Sequence, residues 1–123
     1  MNINIKTTNI ELTEAIEEYL QTKLDYLKKF ISKDQSGVQA DVEIGKTTEH
    51  HRSGEVYRAE INLEIPGMNL FRAEATAEDL YAAIDKVKDE MAKQIKSKKS
   101  KHKDLLKKGG RRLKNMWQKF RGE

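Results

Sequence analysis

Four segments of the chain alternate between apolar and polar residues, which is the pattern of a strand with one buried face. The segments are 1–6, 38–44, 57–65 and 70–75. In the first of them, Met1, Ile3 and Ile5 alternate with asparagine and lysine. The pattern predicts four strands, each with one apolar and one polar face.

A longer segment repeats apolar residues every three or four positions, which is the spacing of an amphipathic helix. Its apolar stripe consists of Ile16, Tyr19, Leu20, Leu24, Leu27 and Ile31. Thr13 precedes the stripe and is a suitable N-cap, because its hydroxyl can accept from a free backbone N–H. Three glutamates follow it, where they complement the positive end of the helix. The sequence therefore predicts a helix over 13–32.

A second helical stripe follows the last strand, and Thr76 with Asp79 resembles a capping box before it. The stripe consists of Leu80, Ile84, Val87, Met91 and Ile95. No helix breaker occurs after Ile95 until Gly109-Gly110, so the helix is predicted to project past the core, to about Lys101 or further. The two glycines predict a hinge.

The predicted order of elements is β-α-β-β-β-α, and it indicates an α+β fold. A two-layer sandwich buries the apolar face of every element: a four-stranded mixed sheet with both helices packed on one of its faces. The first helix makes a right-handed crossover between parallel strands, and the other strands form an antiparallel meander. The outer sheet face is predicted to be acidic, and Arg58 and Arg72 to form cross-strand ion pairs there.

Charge divides the chain into two parts. Residues 1–92 contain 11 lysines and arginines against 18 aspartates and glutamates, a net charge of −7, whereas residues 93–123 contain 13 against 2, a net charge of +11. This asymmetry favours a polyanionic partner, and a solvated terminus is its plain alternative. We expect a domain over 1–103 and a basic tail, amphipathic or disordered, over 104–123.

The acidic sheet face suits nucleic acid poorly, so we expect positive charge to act on the helical side, as one basic ridge beside the seam between the two helices. Lysine binds phosphate as a flexible point charge and reads no sequence, which favours recognition of RNA shape. The candidate phosphate-binding residues are Lys23, Lys28, Lys29, Lys86, Lys93, Lys96, Lys98, Lys99 and Lys101. Ordinary pairing with Asp85, Asp89 and Glu90 is the alternative for Lys86 and Lys88.

Other candidate chemistry is sparse. His50, His51 and Arg52 lie in a long predicted hairpin loop, where a solvated loop or a contact with RNA is expected rather than a metal site. The chain has no cysteine, which excludes disulfides and thiolate ligands. It has no glycine-rich phosphate loop and no paired nucleophile and base, so neither catalysis nor a cofactor is predicted.

The last residues combine apolar and basic side chains at helical spacing. Leu113, Met116 or Trp117, and Phe120 recur among arginines and lysines that include Arg111 and Arg112. Three interpretations stay open: a helix on a membrane surface, a helix in a protein groove, or an entry into RNA with Trp117 stacked on a base. No apolar run reaches the length of a membrane span, and a cytoplasmic protein is expected.

Three segments of the chain together resemble the ribosome hibernation-promoting factor family, also called ribosome-associated inhibitor A or protein Y. They are "MNINIKTTNIELTEAIEEYLQTKL", "EIGKTTEHHRSGEVYRAEINLEIPG" and "AEDLYAAIDKVKDEMAKQIKSKKSKHK". The most specific part is "DLYAAID" followed by a lysine-rich helix end. The resemblance covers about residues 1–103 and marks the chain as similar to a short form of the family.

The resemblance implies a function and a partner. Such proteins are not enzymes; they bind the small ribosomal subunit in the decoding region and block messenger RNA and transfer RNA, which inhibits translation under stress. The family's ribosomal RNA contacts would fall, by position, on the nine lysines named above. Relatives often have a basic residue in the middle of the first helix, where this chain has Asp25 and Tyr26. Two alternatives stay open, a generic double-stranded nucleic-acid binder and a membrane-surface adaptor that uses the tail.

Overall fold

The six predicted elements are present, in the predicted order, in a computed structural model. It describes residues 1–31, 36–47, 55–68 and 70–120, with side chains as far as Lys101. The elements are β1 (Asn2–Thr8), α1 (Glu14–Lys28), β2 (Gln39–Lys46), β3 (Tyr57–Glu64), β4 (Leu70–Ala77) and α2 (Leu80–Phe120). The predicted α+β fold is confirmed.

The four strands form one mixed sheet in the order β1-β2-β3-β4. β1 pairs with β2 in parallel, and the other two pairings are antiparallel. The parallel pair requires a crossover, which α1 supplies. Register places Ile3 beside Ala40 and Ile5 beside Val42, so the apolar faces of the strands coincide.

α1 begins as the sequence predicts. The Oγ1 of Thr13 accepts a hydrogen bond from the backbone N–H of Ile16 at 3.2 Å, which satisfies one of the free donors of the first turn. The helix ends at Lys28, earlier than predicted, and residues 29–31 continue in tighter turns. In these turns the backbone N–H of Phe30 donates to the carbonyl of Leu27 at 3.1 Å.

α2 differs from the prediction at both ends. Thr76 lies inside β4, so the expected capping box is wrong; the helix starts directly after Asp79, whose carbonyl accepts from the N–H of Ala83 at 3.0 Å. The helix then continues through Gly109 and Gly110 to Phe120, so the glycines do not break it. One glycine costs a helix only about 1 kcal/mol, and the flanking lysines, leucines and arginines favour helix.

The core lies between the helical layer and the inner face of the sheet. α1 contributes Leu20, Leu24 and Leu27, which are almost fully buried. α2 contributes residues from Leu80 to Ile95, and Ile95 is the last of them along the chain. Burial of this one contiguous cluster is the main source of stability. Beyond Ile95 the helix leaves the core, as predicted.

The outer sheet face carries charged residues in cross-strand rows. Glu43, Glu60 and Glu74 are neighbours in one row. Arg58 donates to Glu60 at 2.9 Å and to Glu74 at 2.7 Å, and Arg72 pairs with Glu60 at 2.7 Å, which confirms the predicted cross-strand ion pairs. The hydrogen bond from Arg58 holds the pKa of Glu74 below its usual value.

Candidate nucleic-acid interface

The two helices run parallel, and the end of α1 lies beside the middle of α2, which continues to Phe120. Three contacts across the seam establish this direction: Tyr19 with Tyr81, Tyr26 with Lys88, and Phe30 with Lys96. Each step along α1 is matched by a step in the same direction along α2. The lysines at the end of α1 and those of α2 from Lys93 onward therefore lie at the same end of the domain.

Lys23 lies in the seam and is already paired. Its Nζ is 3.1 Å from Oδ1 of Asp85 and 4.8 Å from the centre of the Tyr19 ring, and only 23% of its side chain is exposed. The phenol of Tyr19 donates to the same carboxylate oxygen at 2.6 Å. Lys23 therefore links α1 to α2, and an approaching phosphate would have to compete with Asp85 for it.

The next two predicted lysines lie at the end of α1, Lys28 as its last residue and Lys29 as its C-cap. Lys28 pairs with Asp25, one turn earlier, at 3.3 Å, and 45% of its side chain is exposed. The ammonium of Lys29 lies 5.8 Å from the centre of the Tyr26 ring. Exposed ion pairs contribute little to stability, so Lys28 exchanges partners at low cost.

Lys86 lies away from the helix ends, on the side of α2 that faces β4. Its Nζ donates to the carbonyl of Thr76 at 3.4 Å, and it forms no ion pair with a described carboxylate. Gln94 makes a similar contact further along, to the carbonyl of Arg72 at 2.8 Å. These bonds tether α2 to the free edge of the sheet. The alternative of local pairing holds for Lys88, which pairs with Asp89 at 2.9 Å.

Five of the predicted lysines lie on the part of α2 around and beyond Ile95, and we call this group the basic end. It consists of Lys93, Lys96, Lys98, Lys99 and Lys101. None of them forms an ion pair with a described carboxylate. Lys96 lies 4.5 Å from the ring centre of Phe30, and Lys98 lies 5.2 Å from that of Phe71.

The basic end surrounds the helix instead of forming the single ridge that the sequence suggested. Lys96 faces the seam with α1, whereas Lys93, Lys98 and Lys101 line a surface groove of about 480 Å³ on the β4 side. Leu70, 62% exposed, and Phe71 form part of the lining of that groove. The structure thus brings the late lysines together and leaves Lys23 and Lys86 outside the group.

Several predicted contacts cannot be placed. His50, His51 and Arg52 lie outside the described residues. Arg111, Arg112 and Trp117 belong to α2 by their backbone, but their side chains lie beyond the described part. These six residues remain predictions from the sequence.

The described part of the chain shows neither a group of metal ligands nor a helix that could span a membrane. Among the side chains described, those of residues 1–31, 36–47, 55–68 and 70–101, no three histidines, aspartates or glutamates are grouped closely enough to hold a metal ion. None of the helices there has the length and apolar character needed to cross a bilayer.

The Tyr19–Asp85 hydrogen bond gives a prediction for alkaline pH. This bond and burial raise the pKa of Tyr19 to about 12 from the ordinary phenol value of 10.0. Because the folded pKa is the higher one, the protonated phenol stabilises the fold below pH 10 and the contribution is lost as the pH rises towards 12. For Asp85, burial raises the pKa, but hydrogen bonds from Tyr19 and Lys23 outweigh it and lower the pKa overall.

Tyr19→Phe keeps the ring against Tyr81 and removes the hydrogen bond. We expect it to lower the free energy of unfolding by about 1 kcal/mol at neutral pH, with a smaller difference from wild type above pH 10. Chemical denaturation over a pH series measures this difference, and ultraviolet absorbance should show the latest-ionising phenol missing from the variant. A constant difference across the series would contradict the assigned hydrogen bond.

The seam contains an aromatic feature that the sequence analysis missed. Tyr26 was noted only as a departure from the family, and Phe30 was not singled out. Their rings meet edge to face, with centres 5.2 Å apart, and lysines from both helices lie over them. The available signal was the spacing of Tyr19, Tyr26 and Phe30, which places all three on one side of the helix predicted over 13–32.

Comparison with known proteins assigns the chain to one group. Residues 3–103 match the family model described as "Sigma 54 modulation protein / S30EA ribosomal protein". A curated relative from Salmonella typhimurium, named ribosome hibernation promoting factor, is 33% identical over 112 residues, which cover 87% of this chain and 98% of the relative.

Two further matches differ in extent. The ribosome hibernation promotion factor of Lactococcus lactis is 33% identical over 101 residues, 81% of this chain but 50% of that protein, so the chain spans about half its length. The crystal structure of the Thermus thermophilus Protein Y N-terminal domain superposes with a TM-score of 0.65 at 35% identity, over 79% of this chain and 98% of that domain.

Proposed function

The chain belongs to the ribosome hibernation promoting factor family, and on this basis we propose that it binds the small ribosomal subunit in the decoding region. There it occupies the space used by messenger RNA and transfer RNA and inhibits translation under stress. The protein acts in the cytoplasm by binding rather than by catalysis and needs no cofactor.

The basic end is the observation that supports this proposal. Its five lysines form no ion pair with the described carboxylates, so their positive charge is available to a partner. Ammonium groups that neutralise phosphates release condensed counterions, which drives binding without reading sequence. A folded RNA surface such as the decoding region presents many phosphates within a short distance, and the basic end is suited to it.

The lysines of α1 extend this interface. Lys28 and Lys29 lie at the same end of the helical layer as the basic end, and Lys28 is half exposed. We assign them secondary contacts with the RNA. Lys23 and Lys86 are engaged inside the domain, with Asp85 and with the carbonyl of Thr76, and we assign them a role in holding α2 in place.

Competition on purified small subunits tests the proposal. Subunits loaded with messenger RNA and transfer RNA should bind the labelled protein much more weakly than empty subunits, and subunits preloaded with the protein should reject transfer RNA. The measurement is co-sedimentation or anisotropy. Equal binding to loaded and empty subunits would contradict occupation of the decoding region.

An RNA duplex of about 20 base pairs serves as the specificity control. A decoding-region binder keeps its affinity for subunits in a moderate excess of duplex. A generic double-stranded nucleic-acid binder loses subunits to the duplex in proportion to the phosphates added. Loss of subunit binding to the duplex would mean that the protein binds RNA but that the ribosome is not its specific target.

A further inference from the structure

A second groove opens at the seam between the helices, on the side away from β4. It has a volume of about 400 Å³ and is lined by Thr22, Lys23, Asp25, Tyr26, Lys29 and Lys88. Three cations, one aromatic ring and one carboxylate thus face a common space. A polyanion that bound through its phosphates alone would contact only the cations. The ring and the carboxylate therefore require a separate explanation.

Tyr26 lies at the centre of this group and is half-buried. The ammonium of Lys88 is 4.9 Å from its ring centre, that of Lys29 is 5.8 Å away, and Phe30 supports the ring edge to face. The ring is therefore held in place by packing on one side and bordered by positive charge on the other. Proteins bind unpaired RNA bases with this combination of an aromatic platform and nearby cations.

Asp25 is the single acid in the groove lining. It accepts hydrogen bonds from Gln21 at 3.0 Å and from Lys28 at 3.3 Å, and 57% of its side chain is exposed. The bonds from Gln21 and Lys28 lower its pKa, so it is an ionised acceptor with lone pairs to spare. A phosphate would be repelled by this carboxylate, whereas a base with N–H donors would be attracted.

We infer that this groove binds one unpaired base of the ribosomal RNA, stacked on Tyr26 and hydrogen-bonded to Asp25. The inference rests on the proposed function for its RNA partner. Lys29 carries its charge on a flexible stem, so a phosphate beside the base draws its ammonium group off the ring as the base enters. Lys88 pairs with Asp89 at 2.9 Å and is only 17% exposed, so it stays beside the ring. Guanine is the preferred base, because its Watson–Crick edge offers two adjacent N–H donors, whereas uracil offers one.

A fluorescence experiment tests the groove without ribosomes. Trp117 is the only tryptophan of the chain, so Trp117→Phe with Tyr26→Trp places the sole indole in the groove. A short uridine oligonucleotide with one central guanosine should quench this indole with about tenfold higher affinity than the all-uridine strand. Adding Asp25→Asn should abolish the preference for guanosine. Equal quenching by both strands would overturn the assignment of guanine and Asp25.

A second measurement uses the small subunit. Tyr26→Leu should weaken binding about tenfold and leave the salt dependence unchanged, because no phosphate contact is lost. Tyr26→Phe keeps the platform and should bind like wild type. Lys29→Gln is the matched contrast, since it should reduce the salt slope by about one contact. If Tyr26→Leu binds as tightly as wild type, the stacking role is wrong.

The two proposals fail in different ways. If the wild-type protein does not bind small subunits but the quenching still depends on guanosine, the proposed ribosomal function is wrong and the proposed base-binding groove stands. If Tyr26→Leu does not affect subunit binding, the proposed function stands and the proposed base-binding groove is wrong. Thermal unfolding checks each variant, and if Tyr26→Leu is unstable, Asp25→Asn on the exposed surface decides the question by the guanosine preference.

Discussion

Changing Lys93, Lys96, Lys99 and Lys101 to glutamate should weaken binding to the small ribosomal subunit by roughly a thousandfold at about 0.1 M salt. Each phosphate contact contributes about 0.7 to 0.9 to the slope of log affinity against log salt. Four lost contacts therefore remove a factor of about 10³ under these conditions. A salt series in a co-sedimentation assay measures both the affinity and the slope.

Two controls separate position from total charge. Arginine at the same four positions keeps the charge and should keep most of the affinity. Lys6→Glu and Lys96→Glu change the net charge equally, but Lys6 lies on the outer sheet face opposite Glu43. Lys96→Glu should cost about tenfold and Lys6→Glu about twofold or less. Similar losses from the two variants would show that net charge alone drives binding.

Ile95→Ala should lower the free energy of unfolding by about 2–5 kcal/mol, the usual cost of removing a large aliphatic side chain from a core. Ile95 is fully buried, with 0% exposure, and is the last core residue of α2. Typical domains have only about 5–15 kcal/mol of stability in total, so the loss is large. Urea denaturation followed by circular dichroism gives the value.

The matched control lies on the exposed side of the same helix. Ser100→Ala should change the free energy of unfolding by less than about 0.5 kcal/mol. The Ile95 variant should also bind subunits more weakly than its folded fraction explains, because the helix turn that carries Lys96 and Lys99 loses its attachment to the core. A change below 1 kcal/mol in the Ile95 variant would mean that α2 is anchored elsewhere.

The fold was predictable because its causes are local or periodic. The alternation in the four strands and the stripes of the two helices each identify one buried face, and a two-layer sandwich is the simple arrangement that covers all of them. The Thr13 cap was also predictable, since it depends on residues three positions apart. The Thr76 cap was wrong because β4 extends two residues further than its apolar pattern, to Ala77.

The partners of the lysines were less predictable, because they depend on contacts distant in sequence. Lys23 pairs with Asp85, sixty-two positions away, and Lys86 bonds the carbonyl of Thr76 across the edge of the sheet. Neighbouring residues in a helix suggest local ion pairs, whereas the packing of two helices decides which charges meet. The same packing created the groove around Tyr26, and the sequence indicated only that Tyr26 and Lys88 lie on amphipathic helices.

The parallel alignment of α1 and α2 has a consequence for the approach to RNA. Glutamates crowd the beginning of α1, and Glu78 with Asp79 precedes α2, whereas the basic end lies at the opposite pole. The domain therefore carries a large electric dipole along its helices. The electric field of a polyanion orients such a molecule before contact, so that the lysines of the basic end face the RNA and a larger fraction of encounters leads to binding. We expect fast association that slows steeply with ionic strength.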